Sequence, residues 1–305
     1  MTILVTGGSG MVGRNIIALA DERGLDIVAP SSTDMNLMEY GEVSAAIRSF
    51  EPDVVIHCAG LVGGIQANIR RPYEFCRENL LMGINLVQAC LSEGVDNVIN
   101  LGSSCMYPRE AENPLKEESI LRGELEPTNE GYALAKISVA RLCAYASEEY
   151  KKNYKTLVPC NMYGYWDDFS LDKSHMVPAV LRRLHEAALN NIDSVDIWGD
   201  GLSRREFMFA EDLADFILAG LTRISELPDV LNIGLGKDYS IREYYEKIAE
   251  IVGYKGGFNY DLSKPSGMRQ KLVDASAQSE LGWSPKHTLE QGLSKTYDYF
   301  LREVA

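Results

Sequence analysis

The segment TGGSGMVGRN, residues 6–15, constrains the fold of this chain more than any other stretch. It follows the apolar run TILVT and opens an amphipathic stretch that continues to Glu22. Gly7, Gly10 and Gly13 form a G-x-x-G-x-x-G pattern, which permits a tight turn, close approach of a pyrophosphate and packing of helix on strand. The amides of Met11 and Val12 stand at the helix N-terminus, where a pyrophosphate binds. The pattern predicts a dinucleotide-binding βαβ unit.

The alternation of short apolar runs with helical periods continues through the first half of the chain. The apolar runs are DIVAP, DVVIHCA, NVINLGS and TLVPCNMYG, and the helical periods cover residues 40–49, 73–91 and about 130–151. This alternation predicts an α/β fold with a Rossmann-type, doubly wound parallel sheet that is buried on both faces.

The alternation breaks after Gly164 and returns in DVLNIGLG near residue 230. We therefore expect a Rossmann domain that binds NADP(H) and a smaller C-terminal α/β lobe that closes over the carboxyl edge of the sheet and binds substrate. The Rossmann domain is predicted to comprise residues 1–165 plus about 209–235, and the lobe residues 166–208 and 236–305.

Composition narrows the class of ligand. Among 305 residues the formal net charge is -14, which argues against a nucleic-acid surface. No run approaches the ~18 apolar residues of a membrane span. The chain starts without a basic leader, so we expect a cytoplasmic protein with no membrane partner.

The six cysteines have no zinc-like spacing, so no metal is expected. Basic residues available for an anion are Arg182, Arg183, Arg204, Arg205, Lys264, Arg269 and Lys271.

The end of the second predicted strand bears on the choice of cofactor. An NAD site usually has an acidic residue there, and an NADP site a basic one. The sequence VAPSSTD places Pro30, Ser31 and Ser32 at this point. The missing acid favours NADP(H), with Ser31, Ser32 and Arg14 taking the 2′-phosphate, although the serines alone leave NAD open.

Tyr132 and Lys136, in EGYALAKIS, lie on one face of a predicted helix because they are four residues apart. A free tyrosine has a pKa near ~10, and a neighbouring ammonium lowers it. Such a pair exchanges a proton at an alcohol or carbonyl centre. Its order in the chain supports this interpretation, since the Gly-rich turn comes first, then Ser103 and Ser104 after a strand, and then the Tyr/Lys pair.

This ordered set resembles the extended short-chain dehydrogenase/reductase family, and the resemblance covers the whole chain. Within it, the sequence is most similar to the GDP-L-fucose synthases, which are GDP-4-keto-6-deoxymannose 3,5-epimerase-4-reductases. The matching stretches are LVGGIQAN (61–68), LGSSCMYP (101–108), LEPTNEGYALAK (125–136), PCNMYG (159–164), SHMVPAVLRRLHEA (174–187), IWGDG and RREF.

The resemblance implies a role for each matched position. Ser103 and Tyr132 would contact the sugar carbonyl, while Lys136 binds the nicotinamide ribose and tunes Tyr132. Cys105 and His175 would perform the epimerisation, one removing a proton next to the ketone and the other returning one on the opposite face. The cofactor would be NADP(H), with Leu101 and His175 beside it. Positions that match GDP-sugar contacts are Arg183, Trp198, Arg205 and Asp274. The family also implies a homodimer formed by the helices at 73–91 and 130–150.

Departures from the family pattern leave alternatives open. Ser9 and Ser31–Ser32 stand where several relatives have arginines. Tyr165–Trp166 and Ser266 replace other residues in two loops that we expect to face the sugar or its nucleotide. One alternative is a C4 reductase of another GDP-4-keto sugar, of the heptose or colitose type, in which Cys105 and His175 do not epimerise. A non-catalytic NADP(H)-binding regulator is a weaker alternative, because the Tyr/Lys pair is intact.

Overall fold

The computed structural model describes residues 1–170, 174–263 and 268–305, and Lys264 and Ser266, named above, lie outside the described residues. The strands are β1 (Thr2–Thr6), β2 (Asp26–Val28), β3 (Val54–His57), β4 (Asn97–Leu101), β5 (Asn153–Pro159), β6 (Asn161–Tyr163), β7 (Ser194–Trp198), β8 (Arg204–Arg205), β9 (Phe207–Phe209), β10 (Val230–Ile233), β11 (Tyr239–Ser240), β12 (Gly257–Asp261) and β13 (Gln270–Lys271).

The helices follow the same alternation. They are α1 (Met11–Glu22), α2 (Tyr40–Phe50), α3 (Ile65–Arg70), α4 (Pro72–Ser92), α5 (Glu130–Tyr150), α6 (Met176–Leu189), α7 (Ala210–Gly220), α8 (Ile241–Val252), α9 (Ser276–Glu280) and α10 (Leu289–Glu303). Short 3-10 helices cover Ser104–Met106, Glu117–Ser119, Pro127–Asn129 and Leu221–Glu226. Of the helices that the structure describes, none is both long and apolar enough to cross a membrane.

Six strands pair in parallel into one sheet, in the order β10-β5-β4-β3-β1-β2. The residues of β1 alternate between the two faces: Ile3 and Val5 pack with α1 and α7, and Leu4 packs with α2, α4 and α5. All three side chains are fully buried, as expected for a parallel sheet that is covered on both faces. The predicted Rossmann-type fold is confirmed.

The strand order reverses at β1, because the chain runs from β1 to β2 at the edge and then crosses back to β3. In doubly wound sheets, ligands bind at the carboxyl ends of the strands beside such a switch point. The turn after β1 and the loops after β3 and β4 all end at this edge. The fold therefore brings the Gly-rich turn and the Ser103 segment to the same rim.

A second apolar cluster lies outside the six-stranded sheet. It is formed mainly by α6, α8 and α10 and includes Val177, Leu184, Tyr244, Ile248 and Phe300. Three small sheets accompany it, namely β7 with β12, β6 with β9, and β11-β8-β13. The three-stranded sheet matters for the site, because its two-residue strands β8 and β13 lie parallel and in register.

Local sequence signals account for the ends of α8. Ser240 caps the helix by accepting a hydrogen bond from the Glu243 amide, and the Glu243 carboxylate accepts one from the Ser240 amide at 2.6 Å. This reciprocal pair satisfies two amides that the first turn of a helix leaves without partners. Gly253 ends the helix in the left-handed conformation, with φ 83°, which glycine adopts without steric cost.

Candidate active site

The turn after β1 requires glycine at two of the three predicted positions. Gly7 has a φ of 70°, and a Cβ there would lie 2.6 Å from the Ala59 amide nitrogen. A Cβ on Gly13 would lie 2.3 Å from the Gly7 carbonyl oxygen. Gly10 caps α1 without any side-chain hydrogen bond, so no side chain competes for the amides of the first turn. This turn suits a pyrophosphate held by backbone amides at a helix N-terminus.

The end of β2 has its own hydrogen-bond pattern. The Ser31 hydroxyl donates to the Asp34 carboxylate at 2.6 Å, and the Ser31 amide donates to the same oxygen at 3.3 Å. Sequence reasoning overlooked Asp34, although its position in VAPSSTD was visible. Arg14 projects from α1 and donates from Nε to the Ser9 carbonyl at 3.0 Å. An exposed cation therefore lies at the Gly-rich turn, while the Ser31 hydroxyl is engaged by Asp34.

Ser103, Tyr132 and Lys136 converge at the carboxyl end of β4. Ser103 follows that strand and caps the 3-10 helix Ser104–Met106. Tyr132 lies in the first turn of α5, with the Lys136 ammonium nitrogen 5.8 Å from the centre of its ring. Lys136 is buried, and its Nζ donates to the Leu101 carbonyl at 2.9 Å. The predicted set therefore meets where β4 faces α5.

The electrostatics of this set differ from the expectation that Lys136 lowers the pKa of Tyr132. Burial raises the Tyr132 pKa, the nearby Cys105 adds to the increase, and interaction with the Ser103 hydroxyl opposes it. Burial also lowers the pKa of Lys136. The physical reason is that burial disfavours the phenolate, while the Lys136 ammonium is bonded to the Leu101 carbonyl rather than to the phenol. Tyr132 is therefore protonated at neutral pH, the form that donates a proton.

Cys105 lies in the 3-10 helix directly after Ser103 and is only 5% exposed. Its amide donates to the Ser103 hydroxyl oxygen at 3.4 Å. Burial raises the pKa of the thiol, whereas Lys271, the Ser103 hydroxyl and Lys136 lower it. The thiol thus adjoins the Ser103–Tyr132–Lys136 set.

His175 occupies the N-cap position of α6, at the end of the loop that follows β6. Surrounding protein lowers its pKa by desolvation, and Asp168 opposes that effect. The residue is nevertheless solvent-exposed. Earlier in the chain, Asp167 has one carboxylate oxygen that is buried and has no hydrogen-bond partner among the described residues. Burial raises the Asp167 pKa to about 7.

Two of the predicted substrate residues border one open pocket. A cavity of about 560 Å³ lies between α6 and β7 and is lined by Arg183, Trp198, Asp196 and Asn190, among others. The Arg183 guanidinium donates to the Tyr245 hydroxyl at 3.2 Å and to the Asp196 carbonyl at 3.3 Å. The Trp198 side chain is 55% exposed. A cation and an exposed indole on one wall suit an anionic ligand that carries a planar ring.

The other two predicted substrate residues lie elsewhere on the lobe. Arg205 is on β8, and burial lowers its pKa. Asp274 follows β13, and its Oδ1 accepts hydrogen bonds from the Ser276 amide at 2.9 Å and from the Ser276 hydroxyl at 2.6 Å. Asp274 therefore orders the start of α9, so this carboxylate oxygen is already engaged by the protein.

Tyr165 and Trp166, expected to face the sugar or its nucleotide, have aromatic partners within the protein. The Tyr165 ring lies 5.2 Å from that of Phe209 and 5.7 Å from that of Tyr299 on α10. The Trp166 ring lies 6.1 Å from the Tyr299 ring. The Tyr165 carbonyl accepts a hydrogen bond from Asn15 at 3.3 Å. This pair anchors its loop to α10 and α1.

From the sequence, Lys271 was identified only as one of several basic residues available for an anion. It lies on β13 opposite Arg205, and Cys105 is among the groups that act on its pKa. Glu126, in the matched stretch LEPTNEGYALAK, acts on both Arg205 and Lys271. The sequence did contain one signal that could have singled out Lys271, namely its short spacing from the candidate Asp274 in KLVD.

Comparison with known proteins agrees with this geometry. The family model "NAD dependent epimerase/dehydratase family" matches residues 3–234. The chain is 50% identical to a GDP-L-colitose synthase of Yersinia pseudotuberculosis over 99% of both proteins. It is 48% identical to a GDP-L-fucose synthase of Azorhizobium caulinodans over 98% of this chain and 96% of that protein.

A solved structure shares both fold and length. The GDP-mannoheptose C4 reductase of Campylobacter jejuni with NADP bound superposes with a TM-score of 0.90 at 31% identity, covering 98% of each chain. The sequence relatives and the family model cover the Gly-rich turn, the Ser103 segment and the Tyr132–Lys136 pair alike. The chain therefore belongs to the NAD dependent epimerase/dehydratase family, within the group that contains the GDP-L-fucose synthases.

Proposed function

We propose that this chain is an NADPH-dependent oxidoreductase that reduces C4 of a GDP-4-keto-6-deoxy-hexose and also epimerises C3 and C5, giving GDP-L-fucose or a close relative. The observation that carries the proposal is that two kinds of proton-transfer group lie next to each other. Ser103, Tyr132 and Lys136 meet at the end of β4, and Cys105 adjoins them in the same turn. Relatives named GDP-L-fucose and GDP-L-colitose synthases support the substrate class.

In the reduction, Ser103 and Tyr132 hold the C4 carbonyl oxygen. Bound NADPH supplies the hydride. Tyr132 donates its proton to O4 as negative charge develops there, and its raised pKa keeps that proton in place until then. Lys136 is fixed by the Leu101 carbonyl and holds the ribose hydroxyls and a positive charge near the phenol. Such a charge stabilises the phenolate that remains after proton transfer.

In the epimerisation, the ketone makes the adjacent C–H groups acidic. One member of the Cys105–His175 pair removes a proton, the electron pair enters an enediolate, and the other member returns a proton to the opposite face. The two groups come from different segments, since Cys105 follows β4 and His175 begins α6. Inversion requires two such groups on opposite sides of the ring.

The cofactor would occupy the first predicted domain, residues 1–165 with about 209–235. Gly7, Gly10, Gly13 and the amides of Met11 and Val12 suit its pyrophosphate. Arg14, Ser31 and Ser32 would take the 2′-phosphate, and Leu101 and His175 would flank the nicotinamide. The related reductase with NADP bound supports NADP(H) as the cofactor.

The GDP-sugar would occupy residues 166–208 and 236–305. Arg183 and Trp198 would hold the nucleotide in the pocket between α6 and β7. Arg205 lies on the neighbouring sheet, on the side that faces Glu126. Asp274 would bind the sugar through Oδ2, since Oδ1 accepts hydrogen bonds from Ser276.

One experiment tests both activities. The protein is incubated with GDP-4-keto-6-deoxymannose and NADPH in heavy water, and the product is examined by NMR. We expect GDP-L-fucose with deuterium at C3 and C5. Turnover with no deuterium at either carbon would contradict the epimerisation. No turnover of any GDP-4-keto sugar would contradict the oxidoreductase proposal.

A second candidate is C4 reduction alone, on a heptose-type or colitose-type GDP-4-keto sugar, with Cys105 and His175 not used for epimerisation. Similarity to the GDP-mannoheptose C4 reductase favours reduction at C4, and similarity to the GDP-L-colitose synthase favours a sugar other than the fucose precursor. In the same heavy-water experiment it predicts oxidation of NADPH with such a sugar and no deuterium in the product. A panel of GDP-4-keto sugars therefore separates the two candidates.

We also propose that the protein is a homodimer that pairs through α4 and α5. These helices pack together and expose large apolar side chains: Tyr73 is 74% exposed, Leu134 42% and Tyr145 60%. Tyr145→Glu should convert the dimer into a monomer in size-exclusion chromatography with light scattering. Tyr260→Glu, at an exposed site on β12, serves as the control. A wild-type protein that is monomeric would contradict the proposal.

We place the proposed reaction in the cytoplasm. It consumes NADPH and depends on the thiol of Cys105, which a reducing compartment preserves. Cys105 and the five other cysteines are free thiols in the structure.

A further inference from the structure

The sheet β11-β8-β13 consists of two-residue strands, so its register needs support from side chains. β8 and β13 pair in parallel, with Arg204 opposite Gln270 and Arg205 opposite Lys271. Across this pair, the Arg204 amide donates to the Arg269 carbonyl at 2.8 Å. Strands this short are below the usual length, and backbone hydrogen bonds alone hold them weakly.

Asp238, directly before β11, supplies that support with its side chain, which is buried. Its Oδ1 accepts a hydrogen bond from Arg204 Nε at 2.8 Å, and its backbone carbonyl accepts one from Arg204 Nη2 at 2.8 Å. Its Oδ2 accepts a hydrogen bond from Gln270 Nε2 at 2.6 Å. One carboxylate therefore binds a residue of β8 and the residue opposite it on β13. We call Arg204, Asp238 and Gln270 the Asp238 clasp.

The Asp238 clasp engages both oxygens of a carboxylate that would be costly to bury alone. Burying a charge is unfavourable unless it is paired and hydrogen-bonded. Arg204 supplies the opposite charge in an ion pair of 2.8 Å, and hydrogen bonds to charged groups are stronger than neutral ones. Gln270 is neutral, so its hydrogen bond adds a link to β13 without adding charge. The clasp therefore stabilises one particular register of β8 against β13.

That register places two cations side by side. Arg205 and Lys271 come directly after the two strand residues of the clasp and are in register with each other, and neighbouring strands lie about 4.8 Å apart. The Arg205 guanidinium donates to the Arg204 carbonyl at 2.7 Å. Burial lowers the pKa of Lys271, and the charge of Arg205 lowers it further. Like charges in opposite positions destabilise a strand pair, so the clasp holds together strands that these cations push apart.

We propose that Asp238 is a positioning residue that holds β8 and β13 in register and thereby places Arg205 beside Lys271, where the two cations receive the diphosphate of the GDP-sugar. The inference rests on the proposed function, in which Arg205 contacts the GDP-sugar. Two adjacent cations match the two negative charges of such a diphosphate. The diphosphate in turn removes the repulsion between them. Asp238 acts through Arg205 and does not itself touch the ligand.

The principal test uses GDP as the probe. Its binding is measured by isothermal titration calorimetry with NADP⁺ at saturation, so that the cofactor site is already filled. We expect Asp238→Ala to weaken GDP binding about tenfold, because Arg205 is no longer held in place. Asp238→Asn keeps an acceptor for Arg204 and should lose less. Glu246→Ala removes a carboxylate that pairs with Arg242 at 2.7 Å on α8, and it should leave GDP affinity unchanged.

A double-mutant cycle with Arg205→Met separates positioning from a general loss of stability. If Asp238 acts through Arg205, Asp238→Ala should have little further effect on GDP binding once Arg205 has been replaced. In turnover, Asp238→Ala should raise KM for the GDP-sugar and leave kcat and NADPH affinity near the wild-type values. Equal GDP affinity in wild type and a folded Asp238→Ala variant overturns the inference. An effect of Asp238→Ala that is the same with and without Arg205 overturns it as well.

The inference and the proposed function fail in different ways. A wild type that binds GDP but reduces no GDP-4-keto sugar contradicts the proposed reaction and leaves the role of Asp238 standing, whereas a wild type that does not bind GDP overturns both. Should Asp238→Ala fail to fold, Gln270→Ala breaks only the β13 side of the clasp and should weaken GDP binding about threefold. Unchanged GDP affinity in that variant would then overturn the inference.

Discussion

The two halves of the candidate site are built from different parts of the fold. The reductase half, Ser103 with Tyr132 and Lys136, stands on β4 and α5, a long strand and a long helix that pack directly on the central sheet. The epimerase half takes Cys105 from a 3-10 turn and His175 from a helix N-terminus. In the proposed reaction, hydride transfer would therefore depend on regular elements of the central sheet domain, whereas the proton transfers would depend on a turn and a helix N-terminus.

The two halves of the site also differ in the surroundings of their ionisable groups. In the reductase half the Lys136 ammonium is bonded to a backbone carbonyl, so its position is determined by the protein alone. In the epimerase half, burial raises the pKa of the Cys105 thiol and desolvation lowers the pKa of His175. A site of the first kind is preorganised before ligand binds. A site of the second kind disfavours the charged forms of both of its groups, so the proposed proton transfers would have to create those charges.

The largest expected effect is in the reductase half. Tyr132→Phe removes the proton donor to O4, so we expect kcat for NADPH oxidation to fall about 10³-fold. Deuterium exchange at C3 and C5 should continue, because Cys105 and His175 are untouched. Tyr260→Phe, at an exposed site on β12 outside the proposed dimer interface, is the matched control. Equal loss of exchange and reduction would show that the two halves are not separable.

The converse change is Cys105→Ala. Deuterium exchange from solvent should fall by about 10²-fold, because one of the two proton-transfer groups is gone. Reduction of a sugar that has already been epimerised should remain close to the wild-type rate. Cys143→Ala, a buried cysteine between α4 and α5, controls for the loss of a buried thiol. A parallel fall in both activities argues against assigning Cys105 to the proton transfers alone.

A smaller effect, on cofactor binding, is expected at the Gly-rich turn after β1. Arg14 is the exposed cation beside the Gly-rich turn, and a hydrogen bond to a charged group contributes about 1.5–3 kcal/mol. Arg14→Ala should therefore weaken NADPH binding about tenfold in a fluorescence titration and leave NADH binding unchanged. Arg122→Ala removes an exposed arginine of another loop and should alter neither. Equal weakening for both cofactors would place Arg14 away from the 2′-phosphate.

The smallest effect concerns the loop that precedes His175. The Asp167 pKa is raised to about 7 by burial, so the folded protein holds a proton that the unfolded chain has lost. The resulting stabilisation is complete below about pH 4 and is lost as pH rises through 7. Asp167→Asn should flatten this fall, which we expect to be roughly 4 kcal/mol in urea unfolding for a pKa raised from 3.8 to about 7.

Glu112→Gln changes an exposed carboxylate and serves as the control for the Asp167 measurement. It should keep the wild-type pH dependence of stability. If Asp167→Asn leaves the stability profile unchanged between pH 4 and 8, the carboxylate does not titrate there.

Much of the fold was predictable because its signals are local. The period of apolar residues predicted α1 at its observed limits of Met11 and Glu22 and α4 within one residue at each end. The run DVLNIGLG predicted the return of the chain to the sheet as β10. The helix α3 and the strands β8, β11 and β13 were not predicted. Two-residue strands carry no periodicity, since they form only where another strand is already present.

The candidate site also contains some relations that were predictable from the sequence and others that were not. The sequence alone determined that Tyr132 and Lys136 share a helical face and that Ser103 and Cys105 follow a buried strand, because these relations depend on a few neighbouring residues. It also placed glycine where backbone atoms leave no room for a Cβ. Tertiary structure alone decided that Tyr165 packs on α10 and that the Lys136 ammonium bonds a backbone carbonyl. Those relations join segments far apart in the chain, so their geometry arises only when the sheet, the lobe and the loops between them pack together.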